Sequence, residues 1–396
     1  MTSMQKPAPA EKLLRAKMPE LDTIRGIAVL LVLFFHGFSF RYGLSGLSGF
    51  PKLLVEATLP GWMGVDLFFV LSGFLITGIL LDSKSKADYY RTFYIRRALR
   101  ILPLYYAVLL LLAILTRTGW VNRNASWSFL IMSFFYLSNV TELFGVPMQY
   151  GVLWSLAVEE HFYLIWPAFV RSLSRRRVAI AALTICFICP CLRAFYFLRN
   201  YNTGTGYTWL VADGLATGAF LSAVARGPWG TRSRMWSVAA VFLTLSLIMF
   251  TAGYPFGIFL ASRFLGMTLR GTALNLFFAG SIASALLIGT SNWKAIVNRP
   301  MLQFFGDISY GVYLIHMLVF DLEDHLVGKW LPSLSSPSGH FSQMILLFAI
   351  ATSVIVAVAS LSRWHFEEPF LRMKKGFEGP STKPDSTTKA TARPLG

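Results

Sequence analysis

Apolar residues run along this chain in long blocks separated by short polar, mostly basic stretches. Blocks of the length a helix needs to cross a bilayer, about 20 residues, fall near 23–42, 62–81, 101–117, 153–171, 178–197, 207–226, 237–253, 272–290, 306–326 and 342–362. These ten blocks predict an all-α polytopic membrane protein with about ten transmembrane helices. One more apolar stretch, 127–140 (WSFLIMSFFYLSNV), has only 14 residues. It is either a further span or an interfacial or re-entrant segment.

Charge decides between those two readings. With ten spans and the N-terminus inside, the inner segments hold 26 of the 36 Lys and Arg and the outer segments hold 8. That is the bias expected of a membrane protein, whose cytoplasmic loops are basic. An eleventh span at 127–140 would carry Arg171, Arg175, Arg176 and Arg177 outside and break the pattern. The segment is therefore expected to be interfacial or re-entrant, and both termini are expected to be cytoplasmic. Residues 1–22 read as a basic N-terminal segment without a signal-peptide cleavage site. Residues 377–396, rich in Pro, Ser, Thr and Lys, read as a disordered tail.

Composition agrees and removes other classes. The chain has 396 residues, 55% hydrophobic and only 14% charged, against about 25% charged in a soluble domain. Its mean hydropathy is +0.56. The net charge of +17 would suggest nucleic acid in a soluble protein; here it follows from the inner loops, and no nucleic-acid partner is expected.

Ionisable residues inside spans are candidates for function. The first span holds Arg25 and His36 with ten residues between them. Eleven helical steps return to the same face within about 20°, roughly 16 Å apart along the axis. Arg25 then lies near the inner edge and His36 in the outer half. Asp66 in the second span and Glu159 or Glu160 in the fourth fall at similar depth to His36. A carboxylate beside a neutral imidazole fixes its tautomer and supports general-base work; the same residues also suit a structural ion-pair cluster. In FYIRRALRILPLYY, Arg96, Arg97 and Arg100 lie on a short helix before the third span, with Pro103 opening that span. They read either as a phosphate clamp, since guanidinium forks match phosphate oxygens, or as anchors to lipid headgroups. Tyr313 and His316, at i and i+3 in a late span, either line a cavity or bond across helices. Cys186, Cys189 and Cys191 lack further metal ligands nearby, so no metal site is expected. Asp213, Asn275 and Glu367 serve packing or a site.

Six segments in order, LDTIRGIAVLLVLFFH, GVDLFFVLSGFLITGIL, FYIRRALRILPLYY, VLWSLAVEEHFYLIWP, ISYGVYLIHMLVF and FEEPF, resemble the acyltransferase-3 family of integral membrane acyltransferases. The resemblance covers roughly residues 20–372, and it makes 23–372 the transmembrane acyltransferase domain, without a fused SGNH-type domain. It implies a multi-pass protein of the bacterial inner membrane that moves an acyl group, often acetyl, from cytoplasmic acyl-CoA to a hydroxyl of a carbohydrate, glycolipid or small molecule. Acyl-CoA is then a co-substrate rather than a resident cofactor. The family's paired Arg and His fall on Arg25 and His36, its arginine motif on Arg96, Arg97 and Arg100, and its W-S-L-x-x-E element on Trp154, Ser155 and Glu159. On this reading His36 is the general base, Glu159 and Asp66 orient it, the arginines hold the CoA phosphates, and Trp154, Ser155, Tyr313 and His316 contact substrate. The alternatives are a proton-coupled transporter or flippase using His36, Asp66 and Glu159, and a lipid- or partner-binding scaffold.

Overall fold

The computed structural model describes residues 13–15, 17–121, 125–201, 206–331 and 341–373; the expected N-terminal segment lies mostly outside these residues and the expected tail wholly so. Among the described residues every regular element is helical. Helix α1 (Pro19–Phe34) opens on a proline and runs directly into a π turn, Phe35–Phe40. After the short α2 (Gly49–Glu56) come α3 (Gly64–Asp82), α4 (Tyr89–Arg117), α5 (Trp127–Phe134), α6 (Leu153–Ser172) and α7 (Arg175–Leu198). The second half holds the short α8 (Thr208–Val211), then α9 (Asp213–Ala225), α10 (Arg232–Gly253) and α11 (Phe264–Gly289). It ends with the short α12 (Lys294–Val297), α13 (Pro300–Trp330), α14 (Phe341–Leu361) and, after a second π turn, α15 (Glu368–Met373).

Eight of these helical stretches are long and apolar enough to cross a membrane. The other two predicted spans are helical as well. One is α6, which carries Glu159, Glu160 and His161 in its middle, and the other contains α9, with only 13 residues. The molecule is a multi-pass membrane protein. The 127–140 stretch forms the eight-residue α5, about 12 Å long, then reverses at Tyr136, whose φ is +57°. The hydroxyls of Tyr105 and Tyr106 donate to the carbonyls of Ser133 and Phe134 at that reversal, at 2.7 and 3.2 Å. Non-helical backbone away from water needs such partners. Pro103 does not open the third span, as the sequence suggested; α4 runs through it unbroken for 29 residues.

Two pairs of glycines set the tightest packing. A Cβ on Gly26 would lie 1.9 Å from the Leu302 carbonyl oxygen, and one on Gly306 2.2 Å from that of Asp22, so α1 and α13 touch backbone to backbone. Gly73 and Gly218 do the same for α3 and α9, each 1.9 Å from a carbonyl of the opposite helix. Small residues at such crossings are how membrane helices approach closely. Helix α13 thereby becomes a central element, packed on α1, α4 and α14.

Candidate active site

One end of the bundle holds a cavity of about 400 Å³ between α3, α4, α6 and α13. Its walls bring together seven residues singled out in the sequence: Arg25, Arg96, Arg97, Arg100, Ser155, Glu159 and Tyr313. The amphipathic start of α4 explains the first group, because Arg96, Arg97 and Arg100 fall within one turn and the helix packs Phe93 and Ile101 inward. Arg100 lies within electrostatic reach of Arg25, Arg97 and Arg363, with Glu367 the acid among them. Glu367, near the second π turn, therefore belongs to the arginine end of the bundle. Arg25 also pairs with Asp22 one turn earlier, at 2.7 Å.

Arg97 is held between an aromatic ring and a carboxylate. Its guanidinium lies 3.9 Å above the Tyr163 ring and 4.0 Å from Glu159. Its buried Nε has no hydrogen-bond partner among the described residues. A buried donor left unpaired costs about 1–3 kcal/mol, which an anionic ligand would recover. Glu159 accepts from Ser72 Oγ at 2.9 Å and from the Tyr163 hydroxyl at 3.0 Å. Glu159 is thus engaged with Arg97, Ser72 and Tyr163. Asp66 lies within electrostatic reach of Asp213, Arg270 and Arg193.

The inner end of the cavity is Tyr313, whose hydroxyl is 2.5 Å from Ser155 Oγ. Behind Tyr313 stands His316, fully buried, with its ring 5.9 Å from that of Tyr313 and 5.0 Å from that of His36. Beside the rings of Phe35 and Phe40, His36 therefore has an imidazole 280 residues away in sequence as a neighbour. The backbone fixes how both rings are protonated. His36 Nδ1 is 2.9 Å from the Val32 carbonyl and His316 Nδ1 is 3.1 Å from that of Val312. A carbonyl only accepts, so both Nδ1 atoms carry protons, and in a neutral ring Nε2 is then the acceptor. His316 Nε2 sits 3.4 Å from His36 Nδ1 and shares that proton with Val32. His36 lies in the π turn, which widens the helix at this point; such turns recur at functional sites.

Trp154 packs edge-on against Phe69, 5.8 Å between centroids, and under the backbone of Gly206. Asp213 is structural. It takes two bonds from Arg193, at 3.1 and 2.8 Å, while the remaining Arg193 donors go to Thr268, Leu210 and Thr272. No group of His, Cys, Asp or Glu among the described residues is arranged to hold a metal. Sequence reasoning passed over Ser72, Tyr163 and Tyr310, which line or buttress the cavity. Each is an ordinary small or aromatic residue in an apolar run, without a signal of its own.

The match to known proteins agrees with the ordered motifs. The model of an acyltransferase domain matches residues 18–364. A peptidoglycan O-acetyltransferase of Listeria monocytogenes is 31% identical over 337 residues, covering 78% of this chain and 50% of that protein. A putative peptidoglycan O-acetyltransferase of Bacillus subtilis is 26% identical, covering 90% of this chain and 55% of that protein. This chain thus spans about half the length of these relatives. No solved structure matches it. A domain match over nearly the whole described chain places the protein in the acyltransferase-3 family of membrane acyltransferases.

Proposed function

We propose that the protein is a membrane O-acetyltransferase that takes an acyl group, in the first instance acetyl, from acyl-CoA and passes it to a hydroxyl of a carbohydrate acceptor. The observation that carries this reading is the cavity itself. Its mouth is cationic, its walls are apolar, and its inner end stops one ring short of the His36–His316 pair. That shape suits a donor with a phosphate-rich head, a thin arm and a reactive tip. Arg25, Arg96, Arg97 and Arg100 would take the phosphates, with Arg97 supplying its unpaired donor. The two relatives named for peptidoglycan acetylation make a sugar hydroxyl the natural acceptor.

In the transfer, His36 Nε2 accepts the acceptor hydroxyl proton as the oxygen attacks the thioester carbonyl. The C–S bond then breaks, and the imidazolium returns the proton to the departing thiolate to give CoA thiol. His36 Nδ1–H keeps its bond to Val32 throughout, so the ring cannot turn. His316 Nε2 gives the transient positive charge a second acceptor. Tyr313 and Ser155 stand hydroxyl against hydroxyl at the cavity end, and whichever of the two keeps a free proton would donate it to the thioester oxygen as that oxygen gains negative charge.

The test is calorimetric binding of acetyl-CoA to purified protein, beside Arg97→Ala and an Arg96/Arg97/Arg100 triple-alanine variant. Saturable binding that weakens at least tenfold in both variants is expected. Well-folded wild type that binds neither acetyl-CoA nor longer acyl-CoA esters would overturn the proposal and turn attention to proton-coupled flux.

A further inference from the structure

The donor cavity runs along one face of α3 and ends blind. Val65, Phe68, Ser72, Ile76, Ile79 and Ser83 line it in steps of three or four residues, so they form a single stripe about 27 Å long. Ser83, with Lys86 after it, belongs to the mouth, and Val65 to the far end. Resting on the transfer reading above, we infer that Phe68, near that far end, is the residue that limits the acyl group to acetyl.

Packing closes the far end on every side. Beyond Val65 the backbone of α1 seals the channel: a Cβ on Gly64 would lie 2.4 Å from the Ala28 carbonyl oxygen, and one on Gly61 2.2 Å from that of Leu31. The Phe68 ring meets the Tyr313 ring edge-on, with centroids 6.1 Å apart. Next to it the buried Phe69 meets Trp154 in the same way, at 5.8 Å. With Leu156 these rings make the end apolar, apart from the hydroxyl pair of Tyr313 and Ser155. Helix α3 cannot carry Phe68 away from the channel. It is locked to α9 at Gly73, where the Leu215 carbonyl leaves no room even for a Cβ.

The chemistry of a thioester sets the direction of the chain. Its carbonyl carbon carries the sulfur on one side and the acyl chain on the other. The sulfur leads back along the arm to the arginines, so the chain points on toward the blind end. With the carbonyl oxygen at the hydroxyl pair of Tyr313 and Ser155, the first carbon of the chain faces Phe68, the aromatic neighbour of Tyr313. A methyl group needs the space of one carbon. Each further methylene would press on a ring that packed helices hold in place, and a densely packed interior yields to added volume only at a cost. One methylene more or less in an apolar pocket changes discrimination by about 10- to 200-fold. Wall residues nearer the mouth, such as Leu75 and Ile79, face the arm and do not measure the chain.

The test is calorimetric titration of the protein in lipid nanodiscs with free CoA, acetyl-CoA, butyryl-CoA and hexanoyl-CoA. The variants are Phe68→Ala and the milder Phe68→Leu. Wild type should bind butyryl-CoA at least tenfold more weakly than acetyl-CoA, and hexanoyl-CoA more weakly still. Phe68→Ala should bind butyryl-CoA at least as tightly as acetyl-CoA, a shift of at least tenfold in the ratio, with Phe68→Leu between the two. Free CoA has the head and the arm but no acyl group, so its affinity should stay within twofold in all three proteins and serves as the check on folding. Wild type that binds butyryl-CoA as tightly as acetyl-CoA would overturn the inference. So would an unchanged ratio in a variant that still binds free CoA. Either result leaves the transfer reading standing, because acetyl-CoA is still bound; wild type that binds no CoA ester would instead bring down both.

Discussion

Replacing His316 by leucine tests the histidine pair most directly. The substitution removes one acceptor, Nε2 at 3.4 Å from His36 Nδ1, and leaves the Val32 carbonyl at 2.9 Å in place. The tautomer of His36 therefore survives, and what is lost is the second acceptor for the imidazolium formed during transfer. A hydrogen bond to a charged group contributes about 1.5–3 kcal/mol. At about 1.36 kcal/mol per tenfold in rate, that range is a loss of roughly 10- to 150-fold. The 3.4 Å separation is long and puts the expected loss at the lower end, about 10- to 30-fold in kcat. His36→Ala, which removes the base itself, should cost about 10²–10⁴-fold. The assay is release of CoA thiol from acetyl-CoA in the presence of a hydroxyl acceptor, with acetyl-CoA affinity and melting temperature measured on the same preparations. His316→Gln keeps an acceptor oxygen and should recover part of the loss, which a purely packing role for His316 would not give. Folded His316→Leu with wild-type kcat would refute the argument, as would a defect confined to acetyl-CoA affinity.

Further substitutions separate binding, packing and chemistry. Arg97→Lys keeps a positive charge but loses the planar stack on Tyr163 and the unpaired Nε, so acetyl-CoA affinity should fall about tenfold by calorimetry. Asp213→Asn strips the buried Arg193 of its carboxylate and should destabilise the fold by about 3–5 kcal/mol. The readout is a drop in melting temperature, with acetyl-CoA affinity per folded molecule preserved. Gly73→Ala drives a methyl group to 1.9 Å from the Leu215 carbonyl and should cost at least about 1–3 kcal/mol by forcing α3 from α9; the same substitution at Gly119, where space is open, acts only through its φ and should leave the melting temperature closer to wild type.

Which parts of the fold were legible follows from the range of the interactions that build them. Helical segments are specified locally, by runs of apolar residues, and all ten predicted blocks are helical. The arginine group was legible for the same reason: Arg96, Arg97 and Arg100 lie within one turn, so their juxtaposition needs no knowledge of tertiary structure. Arg25, Ser155, Glu159 and Tyr313 come from three different helices, and their convergence on one cavity depends on the glycine crossings that bring α1 onto α13 and α3 onto α9. Those glycines stand in the sequence, but nothing in it says which helix each one meets. The π turn at Phe35–Phe40 was equally hidden, because the arithmetic that put Arg25 and His36 on one face assumes a regular helix.

Depth along the membrane predicts less than direction around each helix. Asp66, Glu159 and His36 fall at similar depth when residues are counted from span ends, which made a carboxylate the expected partner of His36. Depth fixes one coordinate, and the angle around each helix fixes another. Glu159 is turned toward Arg97, Ser72 and Tyr163, and Asp66 lies in electrostatic reach of Asp213, Arg193 and Arg270. With Glu159 engaged by Arg97, Ser72 and Tyr163, an imidazole beside His36 has a physical rationale. A carboxylate in contact with His36 would add a buried negative charge that must be neutralised even when the base is neutral. A neutral imidazole adds none and still offers a lone pair when His36 takes up a proton. The pairing of His36 with His316 therefore suits a site whose cations are all gathered at one end, where an anionic donor would need them.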